Sequence, residues 1–138
     1  MNFLMATHGN FAKGIKESIE LVLGKFENLD ELSCYTYKEF DLEKEIARIV
    51  EENKNNDLIV ITDIYGGSVN NGFLQKIEEY NNLHIISGLN LPLMIELLNE
   101  QDNYKTAKEL ILNSLENIEG EIKYCNTEIE KITEDEEF

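Results

Sequence analysis

Two side chains that could support group-transfer chemistry follow two apolar runs of the chain. His8 stands in the stretch THGN at residues 7–10, and Asp63 comes shortly after the β-branched run at 58–61. A neutral imidazole is a nucleophile when one ring nitrogen keeps its lone pair. A carboxylate that accepts a hydrogen bond from the other ring N–H selects that tautomer and stabilises the cation formed on attack. A pair formed by His8 and Asp63 would therefore suit transfer of a phosphoryl group to the imidazole.

Small residues beside this pair could supply hydrogen-bond donors to an anion. Gly9 follows the histidine, and Gly66, Gly67 and Ser68 follow the aspartate within DIYGGS. Phosphoryl transfer depends mainly on positioning and on donors around charged oxygens, which backbone amides and a hydroxyl provide. Each residue also has a structural interpretation: the histidine as a hydrogen-bonded structural residue, the glycines as a tight turn and the serine as a helix cap. Their combination at one edge of a sheet favours a phosphate or nucleophile site.

The elements that must position these residues alternate between strands and helices. Apolar runs predict strands at residues 2–6, 32–37, 58–61 and 83–87, with apolar residues at helical spacing after them. This order predicts an α/β fold: an open, mainly parallel, doubly wound sheet with helices on both faces. Such sheets bind ligands at the carboxyl ends of their strands, and strands one and three often flank the switch point. We therefore expect His8 and Asp63 to face each other across one crevice.

Local signals predict where several elements begin and end. Asn10 and Asp41 are placed to cap the first two helices, and Pro92 suits the first turn of a later helix. A helix after DIYGGS is expected to reach about Tyr80. Alternating residues at 121–125 suggest one short final strand. We expect one domain at 1–127, followed by an acidic C-terminal tail at 128–138.

Composition excludes several classes of function. The 138 residues carry a formal net charge of −16, which argues against nucleic acid as a partner and disfavours an anionic membrane surface. No run approaches the length of a membrane span, so a cytoplasmic protein without membrane insertion is predicted. Cys34 and Cys125 lack metal-ligand spacing and are expected to be free, structural thiols. His84, without a partner motif, is interpreted as structural or exposed. We expect no metal site and no cofactor.

Three loops together carry a family resemblance. THG at 7–9, DIYGGS at 63–68 and GLNLP at 88–92 resemble the IIA component of the bacterial phosphotransferase system, in its mannose/fructose/sorbose family. The resemblance covers nearly the whole chain, and the order and spacing of the loops make it more specific than any single motif. It implies that His8 is the phosphorylated residue and that Asp63 orients it. One departure is Val69, which stands where the family commonly has proline and puts the rigidity of the turn in question.

The resemblance also implies partners. His8 would accept a phosphoryl group from the phosphocarrier HPr and pass it to a IIB component during sugar transport, which makes the protein a phosphotransferase. The family forms a homodimer with a swapped antiparallel edge strand, for which residues 121–125 are the candidate. The chain ends soon after the IIA unit, so no fused IIB domain is expected.

Two alternative functions remain open at this point. The same fold and the acidic surface would suit a non-catalytic regulatory module that binds a transcription factor or a transporter. A flavodoxin-like or receiver-like domain is the other alternative. A receiver would need an acidic pair where this chain has Thr7 and His8, and a flavodoxin should purify yellow.

Overall fold

The computed structural model describes residues 1–136. Within this range, four β-strands and six α-helices follow one another along the chain. In chain order they are β1 (Asn2–His8), α1 (Phe11–Leu23), β2 (Leu29–Cys34), α2 (Leu42–Glu52), β3 (Leu58–Thr62), α3 (Ser68–Leu74), β4 (Leu83–Ser87), α4 (Leu91–Glu100), a 3₁₀ turn (Gln101–Asn103), α5 (Ala107–Asn117) and α6 (Cys125–Glu136).

The four strands form one parallel sheet in the order β2-β1-β3-β4. The chain therefore moves outward from β1 in both directions, and the switch point lies between β1 and β3. Their register aligns Ala6 with Thr62, so both strands end at the same edge of the sheet. The predicted doubly wound α/β fold is confirmed, and its switch point lies where the two candidate residues were expected.

The sheet is buried on both faces, as the apolar sequence of its central strands requires. Successive side chains of β1 point to opposite faces: Phe3 and Met5 join one buried cluster, and Leu4 and Ala6 join the other. The first cluster is completed by α1, α4 and α5, and the second by α2 and α3. Helices thus cover both faces, and the polar carboxyl edge of the sheet stays accessible.

Caps explain where the helices begin. Asp41 caps α2, since its Oδ1 accepts from the backbone N–H of Lys44 at 3.2 Å, and Pro92 lies in the first turn of α4. Both predictions are confirmed. Asn10 occupies the cap position of α1, but its side chain makes no capping hydrogen bond. The buried hydroxyl of Thr7 accepts from the N–H of Ala12 at 2.8 Å instead.

Two predicted boundaries differ from the structure. Strand β2 spans Leu29–Cys34 rather than 32–37, because its register against β1 pairs Phe3 with Leu29 and the strand ends before Tyr35 turns to a φ of 64°. Helix α3 ends at Leu74 rather than near Tyr80. The N–H groups of Lys76 and Ile77 bond to carbonyls three residues earlier, which tightens the chain into turns.

The predicted final strand is wrong for the single chain. Residues 121–124 form no strand, and α6 begins at Cys125. Ile122 and Tyr124 are exposed, with no neighbouring strand to accept their backbone hydrogen bonds within the described residues. Most of the tail predicted at 128–138 belongs to α6, whereas residues 137 and 138 lie outside the described residues. None of the helices described is both long and apolar enough to cross a bilayer.

Candidate functional site

The switch point brings His8 and Asp63 together. His8 is the last residue of β1, and Asp63 directly follows the last residue of β3. The ring Nδ1 of His8 lies 2.8 Å from Oδ2 of Asp63. The expected juxtaposition therefore follows from the topology, since adjacent parallel strands place their ends at one edge of the sheet.

The Asp63 carboxylate accepts three N–H groups. Oδ2 accepts from the backbone N–H of His8 at 2.9 Å as well as from its ring, and Oδ1 accepts from the N–H of Ile64 at 3.1 Å. An ionised carboxylate can only accept, so the proton on this side of the imidazole is assigned to Nδ1. The neutral ring then carries its lone pair on Nε2, which is the nucleophilic atom.

The same contacts keep Asp63 ionised. Partial burial acts to raise the pKa of Asp63, but hydrogen bonds from the backbone and ring of His8 and the charge of a protonated His8 outweigh it. The net pKa lies below the ordinary value of an aspartate. Asp63 is therefore a carboxylate across the neutral range and can stabilise positive charge that develops on the imidazole.

Ser68 and Gly67 lie on the other side of the ring. Oγ of Ser68 is 3.5 Å from Nε2 of His8, and the His8 side chain is 43% exposed. A β-carbon added to Gly67 would lie 3.0 Å from the side chain of Ile64 and 3.4 Å from Cε1 of His8. Gly67 thus allows the loop after β3 to approach the imidazole closely beside its nucleophilic nitrogen.

The other two predicted glycines have turn geometry and engaged amides. Gly9 and Gly66 have φ angles of 61° and 80°, a conformation that glycine adopts without strain. The N–H of Gly9 donates to the carbonyl of Cys34 at 2.8 Å, and that of Gly66 donates to Oδ1 of Asn70 at 3.2 Å. In this structure, Gly67 and Ser68 are therefore the stronger candidates to contact a phosphate.

Asparagine side chains hold the loop after β3, which is followed by Val69 where the family commonly has proline. The buried Asn70 accepts from Gly66 N–H and donates to Oγ1 of Thr62 at 3.0 Å. Asn71 donates to the carbonyl of Gly66 at 3.0 Å, and Val69 is buried in the core. The loop is thus clamped to the end of β3 by side-chain hydrogen bonds.

The third glycine-containing loop, at residues 88–92, bonds to the end of β3 beside the site. The N–H groups of Gly88 and Leu89 both donate to the carbonyl of Thr62, at 2.9 and 3.0 Å. Asn90 caps α4 by accepting from Leu93 N–H at 2.9 Å. GLNLP therefore fixes the end of β3, from which Asp63 extends.

An aromatic cluster that the sequence did not predict lies beside the imidazole. The ring centroid of Tyr35 lies 5.7 Å from that of His8, and the rings of Tyr35 and Tyr37 both pack edge-on against Phe40. The hydroxyl of Tyr35 lies 2.8 Å from Oγ of Ser68. The sequence signal was weak, because the stretch CYTYKEF reads partly as a continuation of β2.

Both cysteines are free, as predicted, but their environments differ. Cys125 is exposed, whereas Cys34 is buried at the end of β2. Burial, together with the nearby charges of Asp63 and Glu45, raises the pKa of the Cys34 thiol to about 12. The thiol is therefore protonated and unreactive at neutral pH, and it contributes packing rather than chemistry.

Comparison with known proteins agrees with this architecture. A solved structure from Klebsiella pneumoniae, provisionally described as a phosphoenolpyruvate-dependent sugar phosphotransferase system permease, is 40% identical and superposes with a TM-score of 0.86 over 93% of each chain. The fructose-specific EIIA component of Bacillus subtilis is 22% identical over 96% of this chain and 91% of its own. The sorbose-specific EIIA component of Lacticaseibacillus casei is 24% identical over 78% of this chain and 79% of its own.

These similarities place the chain in a known class, the IIA components of the sugar phosphotransferase system. The family model for the fructose IIA component, EIIA-man, matches residues 2–115. The chain belongs to this family. It is accordingly a phosphotransferase component with a role in sugar transport, as the resemblance of the three loops indicated.

Proposed function

We propose that this protein is a histidine phosphocarrier in which His8 accepts a phosphoryl group from phospho-HPr and donates it to a IIB component during sugar uptake. The observation that carries the proposal is the asymmetry of the imidazole. Nδ1 is held by Asp63 at 2.8 Å, and Nε2 is open toward Ser68 and solvent. One nitrogen is thus fixed as a proton donor, and the other is available for reaction.

The transfer step needs no further reagent. The lone pair of Nε2 attacks phosphorus, the new phosphorus–nitrogen bond forms, and the bond to the donor breaks with its electron pair left on the donor. The imidazole gains positive charge while its Nδ1 proton stays hydrogen-bonded to Asp63, and the carboxylate stabilises that charge. Because the phosphorylated ring is a good leaving group, the same steps in reverse order deliver the phosphoryl group to the IIB component.

Hydrogen-bond donors next to Nε2 would receive the phosphoryl oxygens. The Ser68 hydroxyl is nearest, and the Gly67 backbone passes close to the ring edge. Gly9 and Gly66 shape the two loops, since their amides donate elsewhere. Of the four predicted phosphate-binding residues, Gly67 and Ser68 are thus proposed to contact the phosphoryl group directly, and Gly9 and Gly66 are proposed to shape the turns.

The exposure of the site fits protein partners. His8 lies at the surface, and Phe11, Ile64 and Tyr65 expose apolar side chains on the same two loops and the start of α1. A phosphoryl group that passes between proteins requires such an accessible nucleophile, whereas a small substrate is usually enclosed in a cleft. The proposed partners are HPr and a IIB component, and the proposed location of the protein is the cytoplasm.

A homodimer is proposed with the same function. Strand β4 is one edge of the described sheet, and the alternating segment at 121–124 leaves Ile122 and Tyr124 exposed. An unpaired strand edge accepts a strand from another chain. In the proposed dimer, the 121–125 segment of one chain pairs as an antiparallel edge strand with the sheet of the other.

Phosphorylation of the purified protein tests the proposal. Incubation with enzyme I, HPr and phosphoenolpyruvate should give one acid-labile, alkali-stable phosphate per chain. The His8→Ala protein should take up none. His84→Ala is the matched control, because His84 is the second of the two histidines and lies on β4, 3.5 Å from Asp57 and away from the site. Undiminished labelling of His8→Ala would rule out the assignment.

The regulatory alternative predicts a different outcome. A module that only binds a transcription factor or a transporter would not pass phosphate to any cognate IIB component and would bind its partner equally well with His8→Ala. Measurement of both transfer and binding on the same two proteins separates these functions.

A further inference from the structure

Tyr35 is the residue near the site whose contacts the proposed mechanism does not yet use. Its hydroxyl lies 2.8 Å from Oγ of Ser68, and its ring centroid lies 5.7 Å from that of His8. Ser68 in turn lies 3.5 Å from Nε2 of His8. A line of polar atoms therefore runs from the Tyr35 phenol through the Ser68 hydroxyl to the nucleophilic nitrogen.

The backbone of Tyr35 is in an uncommon conformation. Its φ is 64°, and it is the only residue other than glycine with a positive φ in the part of the chain that the structure describes. A bulky side chain in this region costs free energy and persists only where its surroundings impose it. Residues held in this way cluster at functional sites. Here the conformation ends β2 and places the ring between His8 and Phe40.

From this geometry we infer that Tyr35 is a positioning residue for phosphoryl transfer, which rests on the function proposed above for His8. Its phenol donates to Oγ of Ser68 and thereby directs the Ser68 hydroxyl proton toward the group on Nε2. The direction follows from the chemistry of the two hydroxyls. Ser68 has a single O–H, and if that proton is given to a phosphoryl oxygen, the contact with Tyr35 requires Tyr35 to be the donor.

A hydrogen-bond chain of this kind strengthens its last member. A hydroxyl that accepts a hydrogen bond is polarised and becomes a better donor in the next bond, and a bond to a charged phosphoryl oxygen gains most from this effect. Tyr35 therefore acts through Ser68 and does not itself touch the phosphorus. Loss of its hydroxyl is expected to slow transfer by about three- to tenfold, the effect of one hydrogen bond.

Tyr35→Phe is the direct test, because it removes the hydroxyl and keeps the ring. Tyr37→Phe is the matched control: Tyr37 is in the same loop, packs on the same Phe40 and is similarly exposed. We expect the rate of phosphorylation by phospho-HPr to fall several-fold in Tyr35→Phe and to stay unchanged in Tyr37→Phe. The ³¹P resonance of phosphorylated His8 should shift only in Tyr35→Phe.

A double-mutant cycle separates positioning from packing. If Tyr35 acts through Ser68, then Tyr35→Phe should have little effect in a Ser68→Ala background, because the hydroxyl that it positions is gone. Equal slowing by Tyr35→Phe in both backgrounds would show an effect on packing and overturn the inference, as would equal rates for Tyr35→Phe and Tyr37→Phe. These outcomes leave the proposed function intact. That function fails if His8 is not the residue phosphorylated or if no phosphate passes to a IIB component.

Discussion

At the scale of single residues, the site depends on which N–H groups each of the two carboxylate oxygens of Asp63 accepts. Oδ2 accepts both the backbone N–H and the ring N–H of His8, and Oδ1 accepts the N–H of Ile64. Three donors around one carboxylate fix the position of the acceptor and the tautomer of the imidazole together. An amide in the same place offers one acceptor oxygen and one donor group, so it cannot reproduce this arrangement in either orientation.

Asp63→Asn is therefore expected to reduce phosphorylation of His8 strongly. One orientation of the amide sets its NH₂ against the N–H of Ile64, and the other sets it against both N–H groups of His8. Loss of the correct tautomer and of charge stabilisation should lower the rate on the order of 10²- to 10⁴-fold. Initial rates with phospho-HPr measure this, and a rate within threefold of the unchanged protein would contradict it.

Asp63 also links stability to pH. Its pKa in the folded protein lies below the ordinary value of 3.8, so the group favours folding above that value. This contribution should be lost as the pH falls through the lowered pKa, where the carboxylate is protonated. The free energy of unfolding, measured by urea titration between pH 3 and pH 6, should drop more steeply toward acid in the unchanged protein than in Asp63→Asn. Parallel pH profiles would contradict this.

At the scale of elements, the loop between β3 and α3 keeps its shape through side chains of the helix that follows it. Asn70 is buried and joins Thr62 at the end of β3 to Gly66 in the loop. Asn71 reaches the carbonyl of the same glycine from the helix surface. Val69 is buried in the core at the position where the family commonly has proline. The rigidity of this turn therefore comes from the asparagine hydrogen bonds and not from a proline.

Asn70→Ala is expected to loosen this loop. The substitution removes the donor to the buried Thr62 oxygen and the acceptor of the Gly66 N–H, which costs about 1–3 kcal/mol. Asn71→Ala is the control, because Asn71 is exposed and its loss should cost about 1 kcal/mol or less. Urea unfolding of both variants measures the difference. Equal stability of the two variants would contradict a clamping role for Asn70.

The elements also show how far the sequence could predict the site. Periodicity placed β1, β3 and β4 within a few residues, and the position of DIYGGS after a buried strand brought Asp63 to His8. The alternation at 121–125 indicated a strand that the single chain does not form, because a strand also needs an edge to bond to. Tyr35 could not be predicted, because its proposed role arises from a positive φ and a contact with Ser68, which lies 33 residues away.

At the scale of the whole molecule, the sheet has two edges, at β2 and at β4. The proposed dimer would cover the β4 edge with residues 121–125 of a second chain. Such pairing needs backbone N–H groups and an extended conformation, neither of which depends on the sequence of the acceptor edge. The net charge of −16 opposes association at low ionic strength, so the pairing should strengthen with added salt.

Sedimentation can test the dimer. We expect twice the mass of the chain at micromolar concentration in physiological salt. Ile122→Pro should give a monomer, because proline removes a backbone donor from the exchanged segment. Lys123→Ala, which changes a side chain of the same segment and keeps every N–H, should remain dimeric. A monomer for the unchanged protein would show that the proposed exchange does not occur.

The double tie between His8 and one oxygen of Asp63 also limits how the protein can work. The imidazole belongs to the last residue of a central strand, and both its main chain and its ring are fastened to the same atom. The ring therefore cannot move between two separate positions on the protein surface. In the proposed transfer, the donor and the acceptor of the phosphoryl group must therefore bind the same patch of surface in turn. Excess unphosphorylated acceptor should then compete with the donor, and the kinetics should follow a ping-pong pattern.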